Sequence, residues 1–534
     1  MKKLIFGLAL VAAMSCSATD SVTKTTTNPK EEFRGAWIHT VSQGQYAKMS
    51  TDECKAYLTK QLDLLRAAGC NAVVFQVRPS ADAFYASELE PWSRFLTGTA
   101  GKAPVPAWDP LQFMIEESHA RGMELHAWLN PYRVTTSKTE VLAKNHIYYK
   151  HPERFVTYDG KRYFDPGLPE NRDFIESVVR DIVTRYDVDA IHMDDYFYPY
   201  PVKGVDFPDS ESYKKYGNGM TLGDWRRHNV DLLIEGLHRV ITETKPWVRF
   251  GISPFGIWRN KASDPRGSDT NGLQNYDELY ADVILWTKNG WVDYMVPQLY
   301  WELEKKVASS EKLAYWWNDN ANGRHMYIGQ DVDKTMKMPD LAPSTNPTQL
   351  DHKIRLSRQL PHVHGNCWWP GYSITKNFMG VADSLSRNQQ STIALIPASK
   401  WLDDVRPAEV ENLRFADGRL TWTHSATDVW QQAKAFVVYC VPKGNTVCLD
   451  NAATILCVTN KKEYVVPADM KGKYVFVVTA IDRANNESLE GARISVKLYY
   501  NGTLQDSLRL PRQYLSLAGG ARRYAKHHRR ARFG

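Results

Sequence analysis

The sequence lacks several features that mark common classes of enzyme. Its seven cysteines are spread over 534 residues without a C-x-x-C pair, which argues against a structural zinc site. No Gly-x-Gly-x-x-Gly follows a strand-like run and no Gly-x-Ser-x-Gly occurs, so neither a dinucleotide-binding fold nor a nucleophile elbow is indicated. After the N-terminal segment, no apolar run is long enough to cross a membrane. We therefore predict a protein that binds no cofactor and no metal ion.

Excess positive charge is also missing from the main body of the chain. The formal net charge is +7, and residues 501–534 alone carry eight Lys and Arg side chains against Asp506. Because the remainder is neutral, no nucleic-acid partner is expected. The basic tail is predicted to be disordered, although such a tail can also contact anionic lipid, nucleic acid or acidic wall polymer.

The N-terminus has the pattern of an export signal. Lys2 and Lys3 precede a short apolar run, 4–14, and the small residue Ser15 stands directly before Cys16. This order resembles a lipobox, in which the signal is cut and the cysteine is acylated.

The signal also predicts where the protein acts. With 1–16 as a lipoprotein signal and the Thr- and Ser-rich segment 17–31 as a flexible tether, we expect a body anchored by its lipid in the cell envelope, at the outer membrane or the periplasmic face. Ala13 and Met14 depart from the commonest Leu-x-Gly pattern, so secretion without a lipid is the alternative.

Strand-like runs alternate with amphipathic stretches through residues 32–392. The eight runs are 33–41, 71–78, 124–133, 188–198, 249–258, 292–301, 325–332 and 365–372. Between the first two, Leu58, Leu62 and Leu65 recur at helical spacing. Eight strand and helix units in this order predict a (β/α)8 TIM barrel in the α/β class. An open doubly wound sheet is the structural alternative.

A different pattern follows the barrel. Short runs with a period of two, separated by turns such as Asp417-Gly418, predict a small all-β sandwich over 405–500. The series Gly418-x-Leu420-x-Trp422 and Tyr474-x-Phe476-x-Val478 resembles a fibronectin type III module. Such modules usually act as spacers or binding domains.

Polar and aromatic residues stand at the ends of the eight runs. In a (β/α)8 barrel the reactive groups lie at the carboxyl ends of the strands, so these residues are the candidates for a site. Those predicted to bind substrate are Trp37, His39, Arg78, Asp82, Asn130, Tyr132, Arg133, His192, Tyr198, Gln298, Tyr300, Trp301, Asp331 and Trp369. The predicted catalytic residues are Asp194, Asp195 and Glu302.

Five motifs stand at these strand ends: Phe33-Arg34-Gly35-Ala36-Trp37, Gln76-Val77-Arg78-Pro79-x-x-Asp82, Asn130-Pro131-Tyr132-Arg133, Asp194-Asp195-Tyr196 and Gln298-Leu299-Tyr300-Trp301. Together they resemble the glycosyl-hydrolase-like ten family of bacterial surface proteins. This resemblance implies a glycosidase-like barrel acting on a cell-wall or other polysaccharide. Peptidoglycan stripped of its peptides is the leading expectation, followed by a dietary or host glycan.

Glycoside hydrolysis requires an acid for the leaving oxygen and a second group that supports the oxocarbenium-like transition state. Asp194 and Asp195 are the first candidates, but neighbours on a strand point to opposite sides, so both reach the pocket only if the strand ends there. Alternatively, one is catalytic and its neighbour caps a loop or orients an Arg. Glu302 or Asp331 are candidates for a second carboxylate, each with a surface or ion-pair role as the alternative.

The mechanism and the other side chains leave further alternatives open. A substrate-assisted route, in which one Asp orients an acetamido group, is open if the sugar is N-acetylated. Arg78 and Arg133 suit planar oxygen pairs, with Asp82 as the expected partner of one of them. Asn130, His192 and Gln298 suit sugar hydroxyls, and the aromatic candidates suit stacking on sugar rings.

Two other functions remain possible on the sequence. One is a glycan-binding lipoprotein that has lost turnover. The other is a metal-dependent barrel hydrolase, with His39, His126 and His192 near Asp194, although amidohydrolases usually have His-x-His on the first strand and here His39 stands alone.

Overall fold

The structure is a computed structural model that describes residues 28–340 and 348–499. The signal with Cys16, most of the 17–31 tether and the basic tail lie outside the described residues, so those features stay predictions. Within the described ranges, no helix is both long and apolar enough to span a bilayer.

Eight parallel strands close into a barrel, which confirms the predicted (β/α)8 fold. In chain order they are β1 (Phe33–Ile38), β2 (Ala72–Arg78), β3 (Glu124–Leu129), β4 (Ala190–Met193), β5 (Arg249–Ile252), β6 (Tyr294–Met295), β7 (His325–Asp331) and β8 (Val363–Trp369). Each strand pairs with its neighbours in sequence, and β8 closes the ring on β1. The alternative prediction of an open doubly wound sheet is therefore wrong.

Helices cover the outside of the barrel. The principal ones are α1 (Thr51–Ala67), α2 (Pro110–Ala120), α3 (Pro169–Arg185), α4 (Leu222–Thr244), α5 (Val283–Lys288), α6 (Ser310–Asp319), α7 (Leu350–Gln359) and α8 (Gly371–Thr375). The other α-helices are Arg94–Thr97, Ser210–Tyr216, Asn275–Glu278, Val332–Lys337 and Val381–Ser384. Ser50 begins α1 as a capping box with Glu53, and Asp109 caps α2 ahead of Pro110.

The strands are shorter than the runs that predicted them, and the difference is largest in β4, β5 and β6. β4, β5 and β6 end soon after they begin, and the residues that follow form loops at the carboxyl ends of the strands. These loops, with the ends of the other strands, form the open end of the barrel, called the mouth below. Shortening the strands gives the mouth its irregular, side-chain-rich surface.

Two antiparallel sheets pack against each other after the barrel. Their strands are β9 (Glu411–Ala416), β10 (Arg419–Thr423), β11 (Ala435–Pro442), β12 (Ile455–Thr459), β13 (Glu463–Val465), β14 (Gly472–Ile481) and β15 (Ala492–Leu498). One sheet has the order β9-β10-β13 and the other β12-β11-β14-β15. Leu420 and Trp422 of the first share a core with Phe436 and Phe476 of the second. The all-β unit is the predicted sandwich, and its fibronectin type III character stays a resemblance.

The sandwich contacts the barrel at the end opposite the mouth. Lys434 lies between Glu124, the first residue of β3, and Asp189, which directly precedes β4, at 2.7 and 3.4 Å. On the same side, the indole of Trp401 donates to Asp293 at 2.7 Å. Buried charges of the barrel base thus find their partners in the C-terminal part of the chain.

Candidate active site

The two aspartates that follow β4 both lie in the mouth. The strand ends at Met193, so Asp194 and Asp195 are in the loop, where strand alternation no longer separates them. Each is only 4% exposed. We call these two residues the aspartate pair.

Three N–H groups surround the Asp194 carboxyl. The Trp128 indole and the Asn130 amide each donate at 3.2 Å, and the backbone N–H of Tyr196 donates at 3.3 Å. Burial, followed by the charge of Asp195, raises the pKa of the Asp194 carboxyl to about 7. Asp194 is therefore protonated in a large fraction of molecules near neutrality.

Asp195 has a different set of partners. The Tyr200 hydroxyl donates a short hydrogen bond to Asp195 Oδ2, and the Gln298 side chain forms a second one. Burial raises the Asp195 pKa, while these hydrogen bonds, Tyr200 foremost, act in the opposite direction. Two adjacent carboxyls thus have unequal environments, as an acid and its charged partner require.

Arg133 supplies the positive charge nearest the aspartate pair. Its Nε and Nη2 donate to the Pro79 carbonyl at 3.0 and 2.8 Å, and the guanidinium lies 5.4 Å from the Tyr196 ring centre. Its charge acts to lower the pKa of both aspartates. Because Arg133 is half-buried and fixed by a backbone carbonyl, it is part of the site.

Half-buried aromatic rings follow the carboxyl ends of several barrel strands around the mouth. The aromatic rim consists of Trp369, Tyr372, Tyr200, Phe255, Tyr300 and Trp301. Phe255 contacts Trp301 with ring centres 5.4 Å apart and Tyr200 at 6.2 Å. Across the mouth, Trp369 lies 4.7 Å from His39, whose pKa burial lowers to about 4. Rings of this kind present apolar faces to a sugar.

Arg78 and Asp82 are corrected from substrate contacts to structural groups. Arg78 is fully buried and forms a bidentate pair with Glu90 at 2.6 and 2.7 Å, so Glu90 rather than Asp82 is its partner. Asp82 accepts from the Ser80 backbone at 3.1 Å, and burial raises its pKa to about 7. The Arg78 side chain has no exposed surface, and the Asp82 carboxyl is held by hydrogen bonds from the Ser80 backbone and the Ser93 side chain.

Five other candidates for substrate binding are buried, and they are Trp37, Asn130, Tyr132, His192 and Tyr198. Tyr132 and Tyr198 belong to the main hydrophobic core, with exposures of 0% and 1%. His192 is also fully buried, and the Trp37 indole covers it by donating to Nε2 at 3.3 Å. The prediction that His192 contacts sugar hydroxyls is wrong, since its ring nitrogens contact protein groups.

The two remaining carboxylate candidates have other roles. Glu302 is exposed on the turn beyond β6, because the chain leaves the barrel after Trp301. Asp331 caps the Val332–Lys337 helix by accepting from the Lys334 backbone at 2.8 Å. Glu302 is corrected to a surface residue, and Asp331 has a structural role at the edge of the mouth.

The histidines considered for a metal site do not converge. His126 bonds to Glu124 and Tyr294 inside the barrel, whereas His39 contacts Gln43 and Trp369. Within residues 28–340 and 348–499, no three His, Cys, Asp or Glu side chains are grouped as metal ligands.

Sequence reasoning missed two partners of the aspartate pair. Trp128 lies two residues before Asn130, and the period of two along a strand could have placed both on the same side. Tyr200 gave no comparable signal, because it lies in the irregular loop beyond β4, after bends at Phe197 and Tyr198.

Comparisons with known proteins identify the family of the chain. Residues 32–343 match the family model described as Glycosyl hydrolase-like 10. Glycosyl hydrolase YngK of Bacillus subtilis (strain 168) is 39% identical over 481 residues, covering 86% of this chain and 93% of the relative. Glycosyl hydrolase DigH of Escherichia coli (strain K12) is 37% identical over 368 residues, covering 64% and 83%. The matched segment contains the aspartate pair and seven of the eight barrel strands.

Among solved structures, the glycoside hydrolase domain of PgaB (BpsB) from Bordetella bronchiseptica aligns with a TM-score of 0.43 at 10% identity, covering 67% of this chain and 98% of that one. The endo-1,4-beta-mannanase from Rhizomucor miehei aligns with a TM-score of 0.42 at 11% identity, covering 68% and 99%.

Proposed function

Because the chain belongs to the glycosyl hydrolase-like 10 family and is a glycoside hydrolase, we propose that it cleaves the glycan strands of bacterial cell wall. In this proposal Asp194 is the general acid and Asp195 is its charged partner. The observation that carries it is the aspartate pair itself, two buried neighbouring carboxyls with unequal partners inside an aromatic rim.

The proposed chemistry follows from where the proton resides. Protonated Asp194 gives its proton to the glycosidic oxygen as the bond to C1 breaks, while charged Asp195 stabilises the positive charge that develops on the ring. Water then adds to C1 and returns a proton to Asp194. The Tyr200 and Gln298 hydrogen bonds favour this division because they stabilise the charged form of Asp195.

N-acetylated sugars suit this arrangement further. With Glu302 on the surface and Asp331 engaged as a helix cap, the acetamido oxygen of the substrate becomes the nucleophile that attacks C1. Asp195 would orient that group and balance its charge. A thiazoline analogue of N-acetylglucosamine should then inhibit the enzyme strongly. If the enzyme instead used a conventional double displacement with Asp331 as nucleophile, Asp331→Asn would abolish activity and the analogue would not inhibit.

The surroundings of the pair support a peptidoglycan-type substrate. The rim offers several rings for successive sugars, and the half-buried Gln298 amide can bond to an acetamido or hydroxyl group. Arg133 adds a positive charge suited to the carboxylate of a muramic acid residue.

The deciding experiment uses intact and peptide-stripped wall sacculi with purified protein in chelator, followed by mass spectrometry of the released sugars. Asp194→Asn and Asp195→Asn should each lower kcat about 10²- to 10⁴-fold while retaining binding. Asp231→Asn is the matched control, since burial raises the pKa of Asp231 to about 7 but its partner is Trp286 on α5.

Each alternative has its own result in this assay. Binding without cleavage of any glycan would indicate a glycan-binding lipoprotein, and activity that disappears only in chelator would indicate a metal-dependent hydrolase. Equal losses in Asp194→Asn and Asp231→Asn would show that the aspartate pair is not catalytic.

The location of the protein is a separate proposal. We propose that Cys16 carries a lipid that anchors the enzyme in the cell envelope, supported by the order of Lys2, Lys3, the apolar run and Ser15. Cells given labelled palmitate should incorporate the label into the wild-type protein but not into Cys16→Ser. Labelling of neither would favour ordinary secretion.

A further inference from the structure

Five side chains form a continuous series of hydrogen bonds inside the barrel. The interior chain consists of Trp37, His192, Tyr294, His126 and Glu124. Its successive donor-to-acceptor distances are 3.3, 3.1, 2.8 and 3.1 Å. It runs from the floor of the mouth to the base of the barrel, and every member is at most 5% exposed.

Trp37 determines the direction of the first bond. An indole nitrogen can only donate, so His192 Nε2 must be the unprotonated acceptor. A neutral imidazole then carries its proton on Nδ1 and donates to the Tyr294 oxygen. The first bond therefore fixes the tautomer of a fully buried histidine.

The same logic continues to the base. The Tyr294 hydroxyl has accepted from His192, so its own proton goes to His126 Nδ1, and His126 Nε2–H donates to Glu124. The reverse direction would have His126 Nε2 accept from Arg249, at 3.5 Å, and would end with two N–H groups of Trp37 and His192 facing each other. One proton arrangement satisfies all members.

The base of the chain is anchored by the sandwich. Glu124 Oε2 pairs with Arg249, while its Oε1 accepts from Lys434 Nζ at 2.7 Å and from the Asn485 amide at 3.1 Å. Both of the latter residues belong to the C-terminal part of the chain. Gly251 leaves room for the Tyr294 ring, since a Cβ at that position would overlap it.

We propose that the interior chain is a positioning device, anchored by Lys434, that holds His192 in the Nδ1–H tautomer beneath the catalytic residues. At the mouth, His192 Nε2 also lies 3.2 Å from the Ser253 hydroxyl. The Ser253 carbonyl accepts from Gln298 at 3.0 Å, and Gln298 bonds to Asp195. The sandwich thereby supports the active site through the barrel, in addition to any binding role.

The tautomer can be measured without a substrate. In full-length protein labelled with ¹⁵N-histidine, and with the His192 signals assigned by their loss in His192→Gln, Nε2 should give the signal of an unprotonated nitrogen and Nδ1 that of a protonated one. Tyr294→Phe keeps the ring but removes the hydroxyl that contacts both histidines, so the Nδ1 signals of His192 and His126 should shift, while Trp37 keeps His192 Nε2 unprotonated.

Lys434→Met tests the anchor against Lys473→Met, an exposed lysine on β14. We expect altered His126 and His192 signals in the first variant, wild-type signals in the second, and recovery in Lys434→Arg. A protonated Nε2 in the wild type, or unchanged signals in Tyr294→Phe, would overturn the chain. Unchanged signals in Lys434→Met would overturn its anchoring by the sandwich.

The kinetic consequence rests on the proposed function. Tyr294→Phe and Lys434→Met should lower kcat roughly five- to tenfold, the effect of one misplaced hydrogen bond, with KM nearly unchanged. Wild-type protein that hydrolyses no glycan but shows the expected tautomer would contradict the proposed function and leave the chain supported. Full activity in both variants would overturn the positioning role.

Discussion

Removing the Tyr200 hydroxyl should shift the acidic limb of the pH–rate profile. Tyr200 donates to Asp195, which acts in its charged form, so Tyr200→Phe removes a bond that stabilises the charge and raises the Asp195 pKa. A hydrogen bond to a charged group contributes about 1.5 to 3 kcal/mol, which corresponds to roughly one to two pH units. Because Tyr200 is only half-buried, we expect the lower value.

The measurement is kcat/KM against pH for wild type, Tyr200→Phe and Tyr196→Phe. The acidic limb should move upward by about one pH unit in Tyr200→Phe only. The alkaline limb, where Asp194 loses its proton, should stay near pH 7 in all three. Tyr196 is the matched control because its backbone N–H, not its hydroxyl, contacts the pair. If the acidic limb of Tyr200→Phe stays in place or moves to lower pH, the proposal that Asp195 acts in its charged form is wrong.

Three further predictions concern the rim, the core and the base. Trp369→Ala should raise KM for the polysaccharide roughly three- to tenfold with little change in kcat, because it removes a stacking face; a pure kcat effect would contradict this. Arg78→Met should lower the free energy of unfolding, measured by urea titration, by about 3 to 5 kcal/mol, because it leaves Glu90 buried and unpaired. A raised KM at wild-type stability would instead show that Arg78 contacts the substrate. At the base, burial raises the pKa of Glu124, but Arg249 and Lys434 outweigh it and hold that pKa well below the ordinary value. The stability that this charge contributes above pH ~4 should therefore be lost as the pH falls, and the loss should be smaller in Lys434→Met. Thermal unfolding is measured against pH, and an identical pH dependence in the two proteins would contradict this.

The barrel was predictable because each buried strand leaves a compact apolar run between two amphipathic stretches. The strand ends were less predictable. The run 188–198 continues past the last strand residue, Met193, because it includes Phe197 and Tyr198. These two residues are buried because their loop packs back into the core. Hydrophobic pattern reports burial, and burial does not distinguish a strand from a loop folded over it.

The site was predictable where position along a strand determines it. Asp194 and Asp195 follow β4, and Asn130 follows β3, so the carboxyl-end rule brings them together. Arg78 also ends its strand but is fully buried, because Glu90, twelve residues later, folds back to pair with it. Partners supplied by loops are set by tertiary folding, which local sequence does not specify.

The interior of this barrel explains why polar groups in the core depend on one another. Branched apolar residues usually fill a (β/α)8 interior, yet here His126, His192 and Tyr294 occupy it. Burying these polar atoms is costly unless each has a partner, and removing one member leaves its neighbours unsatisfied. Tyr294→Phe should therefore destabilise the fold more than a combined variant that also makes both histidines apolar at similar volume. The base of the barrel and the mouth are coupled because they share these hydrogen bonds.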